Sequence, residues 1–131
     1  MENHEYIDDP AIPNSEDLWR RIHPLWAVPD NNSGGWRVSS AAFDDSTDGS
    51  PLSVLLATVV AKTHRTADDV ITHYAGYFLA SITAGTAREY GQGIDPTPTP
   101  DEPAHASVFG KKTASIKRNL ATRAKWVIAP S

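Results

Sequence analysis

Residues 103–131 read PAHASVFGKKTASIKRNLATRAKWVIAPS, and this stretch asks for both kinds of regular structure within one short span. His105-Ala106-Ser107-Val108-Phe109 is a short apolar run of strand length. Gly110-Lys111-Lys112-Thr113 then leads into a helix whose Ile116, Leu120, Ala121 and Ala124 fall on one stripe. Continuing that helix through Trp126 would turn the indole away from the stripe, so the helix is expected to stop near Ala124, with Trp126-Val127-Ile128 extended. Strand, helix and strand in succession, with both polarities of surface, predict an α+β fold.

Working back from Pro103, four prolines between Asp95 and Pro103 demand an extended, non-helical connection. Before it, Thr83–Tyr90 reads as a short helix ended by Gly91 or Gly93, and Tyr77-Phe78-Leu79-Ala80-Ser81-Ile82 as a buried strand. Thr66-Ala67-Asp68-Asp69 is a capping box for a helix expected to reach about Ala75. Leu52–Ala57 is apolar enough for a strand covered on both faces. Turn residues crowd between Asp30 and Gly35, predicting a hairpin that joins Trp26-Ala27-Val28 to a returning strand over Trp36–Phe43.

Ser15-Glu16-Asp17 looks like the start of a helix through Leu18, Trp19 and Ile22 that Pro24 stops, with His23 at its C-terminal end. Residues 1–14, acidic and holding Pro10 and Pro13, fit a disordered acidic tail. The expectation is thus a single α+β domain over residues 15–131, a small mixed β-sheet packed by three or four short helices.

The chain has 131 residues and a net charge of −4, yet Lys111, Lys112, Lys117, Arg118, Arg123 and Lys125 follow Pro103 with no acid among them, so residues 1–102 carry −10. Such asymmetry points to an anionic partner, or to a helix held by the domain's own Asp44, Asp45, Asp68 or Asp69. Absence of cysteine excludes disulfides, thiolate zinc sites and a cysteine nucleophile. The acidic first residues lack the pattern of a signal peptide, and the longest apolar run, Leu52–Ala61, has about half the length needed to span a bilayer. A cytoplasmic protein without a membrane anchor is expected.

Among chemistry-bearing residues, His4, His23, His64, His73 and His105 show no three- or four-residue pairing, so neither a metal nor another cofactor is expected. His105 stands at a strand start delivered by the proline segment, a position suited to acid–base work or to capping a sheet edge. Arg37 with Ser39 and Ser40 on the hairpin could bind a carboxylate or phosphate. The candidate catalytic set is therefore Arg37, Ser39 and His105. Lys111, Lys112 and Thr113 at a helix start form a candidate anion site, although His105 stands where a phosphate loop needs its first glycine. Lys117, Arg118, Arg123 and Lys125 form a candidate partner face, with Trp126 available to stack on a base.

The order Leu18-Trp19-Arg20-Arg21, glycine turn, then Trp36-Arg37-Val38-Ser39-Ser40 loosely resembles the opening of ADP-ribosyltransferase-type folds over less than a third of the chain. Those enzymes rely on a late glutamate, and the last acid here is Glu102 in the proline loop. The leading expectation is a recognition or assembly protein of a multi-component system, using the basic C-terminal helix to hold a protein partner. The alternative is an enzyme acting on a nucleotide or nucleic acid through Arg37, Ser39 and His105.

Overall fold

The computed structural model describes residues 5–131. At its centre lies β1 (Asp17–Ile22), where a helix was expected. Leu18 and Ile22 are four residues apart, a spacing that satisfies a period of two as well as a period of 3.6. Tertiary pairing decides between them: β1 is hydrogen-bonded along its whole length to β5 (Phe78–Thr83), and at Leu18 and Trp19 to β4 (Leu52–Leu56). Six strands follow the order β6-β7-β4-β1-β5-β8, every ladder antiparallel, where β6 is Gly93–Pro96, β7 is His105–Phe109 and β8 is Lys125–Ile128. The hairpin is a separate pair, β2 (Ala27–Pro29) with β3 (Trp36–Val38).

Four short helices complete a single α+β domain: α1 (Ala57–Lys62), α2 (Ala67–Val70), α3 (Ala84–Glu89) and α4 (Ala114–Arg123). One face of the sheet, with Leu18, Ile22, Val54, Ile82 and Val108, packs against Leu120 of α4 and against Phe43. On the opposite face Leu55 and Leu79 meet Val60 and Val70, with Trp19 laid against them. Alternating side chains on a sheet covered on both faces give the near-continuous apolar runs of β4 and β5.

Several local expectations change. The strand begun at Trp36 ends at Val38, because Ser39 caps a 3-10 turn over Ser40–Phe43 that buries Ala42 and Phe43. The capping box at Thr66 forms on both sides, but its helix stops at Val70 rather than near Ala75. His23 caps the start of a 3-10 turn at Pro24–Trp26, its Nδ1 accepting from the Leu25 amide at 3.0 Å, rather than closing a helix. Residues 5–14, assigned from composition to the tail, lie against the domain. Ile12 is buried, Asp8 pairs with Arg88 at 3.1 Å, and the Asp9 amide donates to the Ile94 carbonyl. The remainder of that segment, residues 1–4, lies outside the described residues.

Candidate functional site

The ladder between β1 and β4 ends after Trp19 and Leu55, so the two strands part where Arg20 would otherwise face Val54. Arg20 fills the fork. Its Nε donates to the Ala42 carbonyl at 2.9 Å and one Nη to the Ser53 carbonyl at 3.1 Å, in the place of ladder bonds. These two acceptors, with Trp26 at 5.3 Å from its guanidinium carbon, offset the removal of a charge from water. Burial, with Arg21 adjacent, pushes Arg20 down to about 10, which leaves it charged at neutral pH.

Above the fork opens a cavity of about 230 Å³ lined by Trp19, Trp26, Tyr74, Tyr77, Ser53 and His105 together with both arginines. Arg21 is placed by the Val70 carbonyl, which accepts from its Nε at 2.6 Å, and lies 4.2 Å from the Tyr74 ring centre. Glu102 approaches it to 3.8 Å but makes its closer contacts with Arg65, at 2.6 and 2.8 Å. The Arg65 hydrogen bonds hold the Glu102 carboxyl below the ordinary carboxylate range. The cavity thus presents two cations and several aromatic walls.

Its polar floor is a directed chain. His105 Nε2 lies 3.0 Å from Ser53 Oγ, and His105 Nδ1 lies 2.9 Å from the Thr97 carbonyl. A carbonyl only accepts, so the Thr97 contact suits a proton on Nδ1, and in that neutral tautomer Nε2 presents a lone pair to the serine hydroxyl. The Thr97 carbonyl is free for this task because the His105 amide turns to Glu102 instead of completing the ladder. Thr97 Oγ1 adds contacts of 2.9 Å to His105 Nδ1 and to Ser107 Oγ. Hydroxyl, imidazole and carbonyl thus stand in sequence, an order of groups that can activate a weak hydroxyl.

His105 is the one member of the sequence-derived catalytic set that this cavity contains. Arg37 lines a different groove, beneath the hairpin, and Ser39 is committed to its 3-10 turn, with its hydroxyl accepting from the Ala41 amide at 3.3 Å. The set does not converge. Ser53, Arg20 and Thr97 were missed. Period-two reading does place His105 and Ser107 on one face, but the pairing of β7 with β4 spans 52 residues between His105 and Ser53 and has no local signal.

The candidate anion site is also spent internally. Lys112 is turned into the protein, 2% exposed, and its Nζ reaches Asp45 at 2.6 Å and the Val108 carbonyl at 2.9 Å. Thr113 caps α4 by accepting from the Ile116 amide, while Lys111 is exposed and contributes its carbonyl to Gln92. Of the partner face, Lys117 pairs with Asp44 at 3.1 Å and Arg123 with Glu89 at 3.3 Å, whereas Arg118 and Lys125 line the groove that holds Arg37.

Among the described residues no cluster of three or more His, Asp or Glu side chains is disposed to hold a metal, and no helix is long and apolar enough to cross a membrane. Comparison with protein-family models, with curated proteins and with solved structures finds no match.

Proposed function

We propose that the protein is an enzyme acting on a small anionic ligand with a planar part, a nucleotide being the class that combines both, with Ser53 as nucleophile and His105 as general base. The observation that carries this reading is the chain from Ser53 Oγ through His105 to the Thr97 carbonyl, opening into a cavity beside the buried Arg20. Trp19, Trp26 and Tyr77 line the cavity with aromatic surface suited to a base, and Arg20 and Arg21 offer charge to a phosphate.

In the step this geometry favours, Ser53 Oγ attacks phosphorus as its proton passes to His105 Nε2, and the imidazolium returns that proton to the departing oxygen. Water then enters by the reverse sequence and frees the serine. No acid is paired with Arg20 among the described residues, and the N–H groups its two carbonyls leave over can meet the charge that develops.

A p-nitrophenyl ester of thymidine 5′-phosphate supplies the test. Release of p-nitrophenol above the buffer rate is expected, falling about 100-fold or more in Ser53→Ala and His105→Gln. A Ser53→Ala variant that kept the full rate, or a wild type no faster than buffer, would remove the reading. The recognition role drawn from the charge of the C-terminal segment rests on a different surface, the groove under the hairpin, and does not depend on the chemistry at Ser53.

A further inference from the structure

Between the β2–β3 hairpin and the α4–β8 corner runs a groove of about 760 Å³. The hairpin is fastened over it by the Trp126 indole N–H, which donates to the Trp36 carbonyl at 3.0 Å, while Phe78 meets the Trp126 ring edge-on. Three cations line it, Arg37 from the hairpin, Arg118 from α4 and Lys125 from β8. None of the three makes an ion pair among the described residues, whereas Lys112, Lys117 and Arg123 of the same basic segment are each matched to an acid. Three cations against the single acid of this concave surface, Asp30, leave an excess of positive charge that is complementary to an external anion.

Trp36 also lines the groove and is 45% exposed, on a hairpin held in place by a hydrogen bond to its own carbonyl. An exposed ring on a rigid support beside separated cations suits a polymer that alternates planar groups with phosphates. A duplex hides the faces of its bases and an acidic peptide has few planar groups, so neither uses both features. Asp30 lines the same groove near enough to Arg37 for the two charges to interact, its carboxylate held by Ser33 Oγ at 2.8 Å and the Asn32 amide at 3.0 Å.

We propose that this groove binds a short single strand of nucleic acid, its phosphates meeting Arg37, Arg118 and Lys125 and one base stacking on Trp36. Contact with three phosphates gives an affinity that falls about 20-fold between 50 and 200 mM salt. Replacing the side chains should leave the fold intact, because Trp36, Arg37, Arg118 and Lys125 are exposed.

The experiment is fluorescence anisotropy with fluorescein-labelled octamers of deoxythymidylate and uridylate, against a duplex of equal length and an octaglutamate peptide. Circular dichroism checks that each variant is folded. Binding of the single strands, with the stated salt response, at least tenfold loss in Arg118→Glu/Lys125→Glu and weaker binding in Trp36→Ala, is the expected result. Three results would each overturn the proposal: no binding of either single strand at 50 mM salt, affinity unchanged in the charge-reversed variant, or octaglutamate binding as tightly as the oligonucleotides. The last would assign the groove to an acidic protein segment.

Discussion

The Lys112 side chain is buried and held by three acceptors, so its partner Asp45 matters more to stability than its own charge does. Asp45→Ala strands a buried ammonium and also releases the Leu52 amide, which its carboxylate accepts at 3.1 Å. Lys112→Met instead keeps the apolar stem and removes the charge. In urea denaturation Asp45→Ala is expected to lose about 2–3 kcal/mol and Lys112→Met about 1 kcal/mol; the reverse order would contradict the account. Glu102 gives a pH prediction. Hydrogen bonds from Arg65 set its folded value below 4.5, so its contribution is complete above that pH and disappears as pH falls from 4.5 through the folded value. Glu102→Gln should therefore flatten the acid limb of the stability curve, by about 1 kcal/mol for a pair partly open to solvent. At this scale the sequence is hard to read. Lys111 and Lys112 are adjacent and chemically alike, and what selects Lys112 for burial is Asp45, far away in the chain.

Helix α1 depends on an acid from another element. Its own N-cap residue, Leu56, offers no side-chain acceptor, and Glu16 takes the role instead, accepting from the Thr58 amide at 3.0 Å and from Thr58 Oγ1 at 2.8 Å. Glu16 is 6% exposed, and removal of its carboxylate takes the acceptor from both Thr58 donors. Glu16→Ala is expected to cost about 1–2 kcal/mol and to raise amide exchange first in α1, which hydrogen-exchange mass spectrometry can read. Unchanged protection of α1 would show that the cap is dispensable. The helix escaped sequence reading for the same reason, since its cap lies outside it and its residues continue the apolar run of β4. Elements with their own signals were legible: the capping box of α2, the glycine after α3 with φ of +80° at Gly91, and the alternation of β7. β1 was not, because its even apolar spacing fits either period and the strands that flank it come later in the chain.

For the molecule as a whole, strand order is the property least available locally, and it creates the fork as well as the closure of the far edge. β1 lies between β4 and β5 while β6 and β7 extend the sheet beyond β4, so Ser53 and His105 meet only after distant segments have paired. The hydrophobic pattern could mark β4, β5 and β7 as strands but not name their neighbours, and it left β1 open to a helical reading, which is why the α+β class was readable and the site was not. The same topology leaves β6 as an edge, and residues 5–14 cover it. The Asp8 carboxylate accepts from the Ile94 amide at 2.9 Å and pairs with Arg88, Ile12 enters the core, and Tyr6 stacks on Phe109 at 5.7 Å. An uncovered edge exposes unpaired backbone groups and invites association. Ile12→Ala removes a buried side chain at about 2 kcal/mol, and Asp8→Asn weakens the ion pair at about 1 kcal/mol. Together they should lower the calorimetric melting temperature by about 10 °C. Because Ser53, His105 and Arg20 stand on strands interior to β6, and Thr97 alone of the proposed chain adjoins it, the double variant should retain the proposed turnover of the p-nitrophenyl ester below its new melting point. Loss of turnover in a variant shown to be folded would mean that the N-terminal segment shapes the fork directly, whereas an unchanged melting temperature would mean that β6 needs no cover.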